Sequence, residues 1–73
     1  MTNLTKNTEM TTAQKETAFD VLGGYIKTNP TIEIVVDLFD TYNKQVIVRA
    51  KMSAGTYSVI IGVRGAVIDS GWS

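Results

Sequence analysis

The sequence contains no cysteine and no histidine. The absence of cysteine excludes disulfides, thiolate metal sites and cysteine nucleophiles. Because small secreted domains are usually stapled by disulfides, we expect a cytoplasmic location. The absence of histidine removes the commonest general base and metal ligand, so no serine can work through a Ser–His pair. We therefore expect a non-enzymatic protein with no catalytic residue, no metal and no cofactor.

Long apolar runs and an excess of charge are also missing. No run approaches the ~20 apolar residues that cross a bilayer, and the N-terminus has no apolar signal core. Seven basic residues balance seven acidic ones, so the formal net charge is zero. A general polyanion binder needs a basic excess to neutralise phosphates. We expect no membrane partner, and zero net charge mildly favours self-association.

The 73 residues suffice for one domain. A chain of this size buries only about 60% of its unfolded surface, and such domains often gain further burial from a second subunit. Residues 1–10 are polar apart from Leu4 and Met10, which predicts a flexible leader. The alternative is an arm that docks on a neighbouring subunit through Leu4. Residues 11–73 are expected to form a single α+β domain.

A helix is predicted to begin at Thr11 or Thr12, because Thr11–Gln14 fits a capping box in which a threonine hydroxyl and a glutamine amide exchange hydrogen bonds with the backbone. Apolar residues then recur at helical spacing. They are Ala18, Phe19, Leu22, Tyr25 and Ile26. At Gly23–Gly24 the helix either continues, with a close approach to the sheet, or ends before a separate turn; the phase of the stripe favours continuation. Pro30 ends it.

Four strands are predicted after the helix, because apolar residues alternate along each segment. The strands are Thr31–Asp40, Gln45–Met52, Thr56–Val63 and Ala66–Trp72. Short turns between them favour an antiparallel meander in the order 1-2-3-4, with the helix packed on one face. The inward side chains are predicted to be Ile32, Ile34, Val36, Leu38, Val46, Val48, Ala50, Met52, Tyr57, Val59, Ile61, Val63, Ile68 and Trp72. The predicted fold class is α+β.

The first hairpin has a register that its charges support. If Asp40 lies opposite Lys44, Leu38 meets Val46 and Glu33 faces Lys51. The same register makes Asp37 a diagonal neighbour of Arg49, so opposite charges meet on the outer face. These pairings explain Glu33 and Asp37 better than a catalytic carboxylate pair, because four residues of strand separate them by roughly 13 Å.

The two later hairpins are predicted from their glycines. A two-residue loop at Ala54–Gly55 would place Met52 opposite Tyr57 and Ala50 opposite Val59. A tight turn at Arg64–Gly65 would set Ile61 against Ile68 and Tyr57 against Trp72. On the outer face, this register aligns Val35, Arg49, Ile60 and Asp69 in one row, and Ile47, Gly62 and Val67 in the next.

The outer face of the sheet is the predicted partner-binding surface, because it carries aliphatic residues that the helix does not cover. The alternative is that the long stems of Arg49 and Lys51 cover these aliphatic residues, which are then only good strand formers. The residues of the predicted surface are Val35, Phe39, Ile47, Arg49, Lys51, Ile60 and Val67. We interpret the chain as a small protein-interaction module that occupies a surface of another protein or of a second copy. Its size and composition are typical of the inhibitors and accessory proteins of viruses and mobile elements.

Single-stranded nucleic acid is the alternative partner. A sheet that presents an aromatic side chain among basic ones can stack bases, and Phe39 lies near Arg49, Lys51 and Arg64. Acidic residues on the same face would repel phosphate, and they are Glu33, Asp37 and Asp69. Trp72 is predicted to close the core at the last strand; if it lay at the surface it would be a binding anchor.

Overall fold

A single helix packs against one face of a five-stranded sheet in the computed structural model, which describes residues 3–6 and 10–73. The elements are β1 (Asn3–Lys6), α1 (Thr12–Thr28), β2 (Glu33–Asp40), β3 (Gln45–Met52), β4 (Gly55–Ile61) and β5 (Val67–Trp72). Strands β2 to β5 form an antiparallel meander in sequence order, and α1 contacts β4. The predicted α+β fold and four-stranded meander are confirmed.

The fifth strand, β1, was not predicted. Its residues Asn3–Lys6 pair in parallel with Glu33–Val36 of β2. Two parallel strands must be joined by a crossover of a dozen or more residues, and the segment that contains α1 is long enough to join β1 to β2. The three elements therefore form a βαβ unit. The segment has one apolar residue and therefore no alternation to reveal a strand. The rest of the predicted leader, residues 1–2 and 7–9, lies outside the described residues, and its flexibility stays a prediction.

Helix α1 begins at the predicted capping box. The hydroxyl of Thr11 accepts from the backbone N–H of Gln14, and the side chain of Gln14 accepts from the N–H of Thr11. The helix continues through Gly23–Gly24, as favoured. The expected close approach to the sheet at these glycines was wrong, because no atom lies within 4 Å of a side chain built there. Phe19 was also misplaced, since it is 64% exposed at the margin of the apolar stripe.

The core lies between α1 and the inner face of the sheet. Its buried apolar residues are Ala18, Leu22, Ile32, Ile34, Val36, Val46, Val48, Ala50, Val59 and Ile61. The sheet residues among them all belong to the predicted inward set. Four further predicted inward residues are at least 40% exposed, namely Leu38, Val63, Ile68 and Trp72. A helix is about 10 Å wide, whereas five strands about 4.8 Å apart span roughly twice that, so one helix cannot cover them all.

The register of the first hairpin is confirmed as far as Leu38, which pairs with Val46. A bulge then places Asp40 opposite Gln45 rather than Lys44. Lys44 adopts a left-handed backbone conformation with φ of 54°. The turn therefore contains one residue more than predicted, and the bulge absorbs it.

The register of the second hairpin was predicted wrongly by two residues. Met52 pairs with Gly55 and Ala50 with Tyr57. The loop is Ser53–Ala54, and Gly55 begins the next strand with φ of +139°, a conformation that suits glycine. A shift of two residues leaves every side chain on its predicted face.

The third hairpin is confirmed at its open end, where Tyr57 pairs with Trp72. Near the turn a bulge places Ile61 opposite Val67 instead of Ile68. The turn spans residues 62–66, closed by hydrogen bonds between the backbones of Gly62 and Ala66 and of Gly65 and Gly62. All six residues of β5 are exposed.

Candidate functional site

The outer sheet face is organised in rows that differ from the prediction. Val35 lies beside Arg49, Ser58 and Gly71 across strands β2 to β5. The next row contains Asp37, Ile47, Ile60 and Asp69. The predicted alignment of Val35 with Ile60 and of Ile47 with Val67 was wrong, because the second hairpin is shifted by two residues. Ile47 and Ile60 are instead direct cross-strand neighbours.

The seven predicted partner-binding residues are not equally placed. Val35, Ile47, Arg49 and Ile60 are half-buried at the centre of the outer face, and Lys51 is exposed beside them. Phe39 is 55% exposed at the bulge of the first hairpin. Val67 is 48% exposed and pairs with the inward residue Ile61, so it does not extend the row of Ile47.

Two ion pairs flank the aliphatic residues, as the charge pattern predicted. Arg49 Nη1 lies 2.7 Å from Asp37 Oδ2 and Lys51 Nζ lies 3.8 Å from Glu33 Oε1. The side chains of the first pair are 40% and 37% exposed, so solvent screening limits the contribution of that pair to about 1 kcal/mol or less. Val35 lies between the two pairs, and the Asp37–Arg49 pair crosses the face between Val35 and Ile47.

Small residues on β4 and β5 leave a shallow depression beside the isoleucine pair. Its lining includes Ile47, Ser58, Ile60, Asp69 and Gly71. Ser58 and Gly71 face each other, and nothing lies within 4 Å of a side chain built at Gly71. Ile47 and Ile60 form the apolar side of this depression, and Ser58 and Gly71 form its base. The depression could receive one apolar side chain of a partner.

An aromatic cluster at one end of the inner face was only partly foreseen. The ring of Tyr25 on α1 lies 5.5 Å from Tyr57 and 5.5 Å from Trp72, and the last two rings are 5.2 Å apart. Trp72 was predicted to close the core at the last strand, but it is 51% exposed and lies outside the core cluster despite these ring contacts. The sequence indicated the contact between Tyr57 and Trp72, because both residues were predicted to point inward on paired strands. The contact of Tyr25 with these two rings depended on the helix continuing through Gly23–Gly24.

The tip of the first hairpin is a polar turn held by the carboxylate of Asp40. Asp40 accepts hydrogen bonds from the backbone N–H groups of Tyr42 and Asn43 and from the side-chain amide of Asn43. These bonds, chiefly the one from the Asn43 side chain, hold the pKa of Asp40 below its ordinary value. The turn leaves Tyr42 93% exposed.

Within the described residues, no group of three or more carboxylate, histidine or cysteine side chains is arranged to hold a metal ion. The described part of the chain also has no helix long and apolar enough to span a bilayer. Comparisons with protein-family models, with curated proteins and with solved structures found no match.

Proposed function

We propose that this chain is a small non-enzymatic interaction module that binds another protein through the outer face of its sheet. Binding would act by occupying a surface of the target, as an inhibitor or accessory factor does. The observation that carries the proposal is the direct pairing of Ile47 with Ile60 on the face opposite α1.

Three features of the surface support this role. Ile47 and Ile60 form an aliphatic pair across β3 and β4, and the Asp37–Arg49 ion pair separates this pair from Val35. This ion pair borders the isoleucines, which matches the usual arrangement of an apolar interface centre with a polar rim. In the described part of the chain, the helix occupies the other face, and no second layer of secondary structure lies over this one.

The test replaces each isoleucine with lysine. Asp37 lies opposite Ile47 and Asp69 lies opposite Ile60, so each new ammonium gains a carboxylate neighbour and the fold should tolerate the change. A desolvated lysine at the centre of an interface should nevertheless weaken target binding at least tenfold. Phe19→Lys is the matched control, because it removes an exposed apolar side chain from the helix.

Affinity capture from the native cell, followed by calorimetry with the recovered target, provides the measurement. The wild type and Phe19→Lys should recover the same protein, and Ile47→Lys and Ile60→Lys should lose it. Equal capture by all four chains would contradict the proposal. A parallel titration with single-stranded oligonucleotides at low salt tests the alternative, since salt-dependent binding there would favour a nucleic-acid partner instead.

A further inference from the structure

The outer edge of β5 is a second candidate interaction surface, because it presents backbone N–H and C=O groups that do not pair with β4. In antiparallel pairs, successive residues alternate between bonding the neighbouring strand and pointing their backbone groups away from it. Thr56 and Ser73 exchange both of their N–H···O bonds, 3.1 and 2.8 Å long. Counting back from Ser73, the backbone groups of Gly71 and Asp69 therefore face β4, whereas those of Trp72 and Ser70 face the edge.

The hydrogen bonding of Ser70 supports this assignment. Its N–H donates to the carboxylate of the adjacent Asp69 at 2.9 Å, a bond available only because the amide does not pair with β4. Among the described residues, β4 is the sole strand that pairs with β5. Exposed strand edges of this kind are templates for another strand.

We propose that the edge of β5 pairs antiparallel with the same edge of a second copy of this chain, around a two-fold axis at Ser70. A two-fold axis perpendicular to the sheet keeps equivalent faces together, so each residue must pair with one an even number of positions away. Centring the pair on Ser70 exchanges the bond from the Ser70 N–H to the Asp69 carboxylate for a backbone bond to the other copy. It also sets Ile68 opposite Trp72 of the other copy.

Charge and burial select this register over its neighbours. An axis at Asp69 would place two carboxylates directly opposite each other, which is destabilising. The Ser70 axis instead sets each Asp69 against Gly71 of the other copy. It also brings together Ile68 and Trp72, which are 49% and 51% exposed in the single chain. The surface is thus complementary to itself, and the formal net charge of zero adds no repulsion between copies.

This contact differs from the outer face in both residues and geometry. Edge pairing would join two five-stranded sheets into one and leave Ile47 and Ile60 free on the same side of both copies. The second copy would then double the proposed interaction surface without covering it. Because one strand pair buries less than a standard interface, we expect a dissociation constant of roughly 10–100 µM.

Sedimentation equilibrium from about 1 µM to about 1 mM tests the dimer. The wild type and Ser70→Ala should associate, since Ser70→Ala keeps the backbone N–H. Ser70→Pro removes that N–H on the edge side, where proline is tolerated, and should remain monomeric. Ile68→Lys should also be monomeric, and it decides the question if Ser70→Pro does not fold. A monomeric wild type, or a dimeric Ile68→Lys variant, would overturn the proposal.

The absence of cysteine allows a direct test of the register. Single cysteines at positions 68 to 72 are oxidised, and the rate of disulfide-linked dimer formation is compared. Paired residues at the axis lie about 5.5 Å apart between Cα atoms, within disulfide range, so Ser70→Cys should cross-link fastest. Faster cross-linking at another position would refute this register. Ile47→Lys should leave association unchanged, so a failed dimer and a failed target interaction are distinguishable.

Discussion

The side-chain amide of Gln14 donates to the backbone carbonyl of Lys44 at 2.9 Å, joining the first turn of the helix to the end of the first hairpin. The same nitrogen donates to the carbonyl of Ile61 at 3.3 Å, and the amide oxygen accepts from the N–H of Thr11. Gln14 is only 1% exposed and is the one buried polar residue among the described side chains. One side chain thus forms hydrogen bonds with the backbone at the helix N-terminus and with two backbone carbonyls of the sheet region.

We predict that Gln14→Ala lowers the free energy of unfolding by about 3 kcal/mol, because it leaves buried backbone groups unpaired. Gln14→Glu should cost at least as much near neutral pH, where its carboxylate would face two carbonyl oxygens. Chemical denaturation measures both. A loss below about 0.5 kcal/mol for Gln14→Ala would show that water replaces the amide at no cost.

Two glycine substitutions should have opposite effects. Gly65 has φ of +89°, and an added Cβ would lie 2.9 Å from the carbonyl oxygen of Ala13. Gly65→Ala should therefore destabilise the protein by about 2–3 kcal/mol through strain and collision with the helix. Gly24→Ala, exposed in the helix with nothing within 4 Å, should stabilise it by about 0.5–1 kcal/mol. Thermal unfolding measures both, and changes of equal sign would contradict this account.

The turn at Asp40 should give the protein a pH dependence in acid. Its pKa is lowered in the fold, so its contribution is present above the ordinary value of 3.8 and is lost as the pH falls through the lowered folded value. Asp40→Asn should flatten the decline in unfolding free energy below about pH 4. Asn43→Ala, which removes the main donor, should flatten it similarly. An unchanged slope in both variants would exclude Asp40 as a source of the decline.

The aromatic cluster should couple the helix to the last strand. A double-mutant cycle with Tyr25→Leu and Trp72→Leu should give a coupling energy of about 0.5–1.5 kcal/mol, typical of aromatic pairs. Denaturation at low protein concentration keeps association out of the measurement. Phe19→Leu, on an exposed part of the helix, is the control and should show no coupling with Trp72→Leu. Equal coupling in the two cycles would argue against a specific ring contact.

The sequence by itself determined which face of the sheet the residues of the central strands occupy, because side chains alternate along a strand. Even the wrong register of the second hairpin left Val48, Ala50 and Val59 inward, since a slip of two residues preserves the face. The capping box likewise located the helix start, and paired charges located Arg49 next to Asp37 and Lys51 next to Glu33.

Tertiary structure decided the features that depend on distance across the fold. The positions of the bulges, the left-handed Lys44 and the strand start at Gly55 follow from how each loop closes, and local propensity does not encode them. The pairing of Asn3–Lys6 with β2 depends on an open strand edge 30 residues away in the chain. Most of all, one helix about 10 Å wide leaves β5 uncovered, so the width of the sheet, rather than any motif, exposes Ile68 and Trp72.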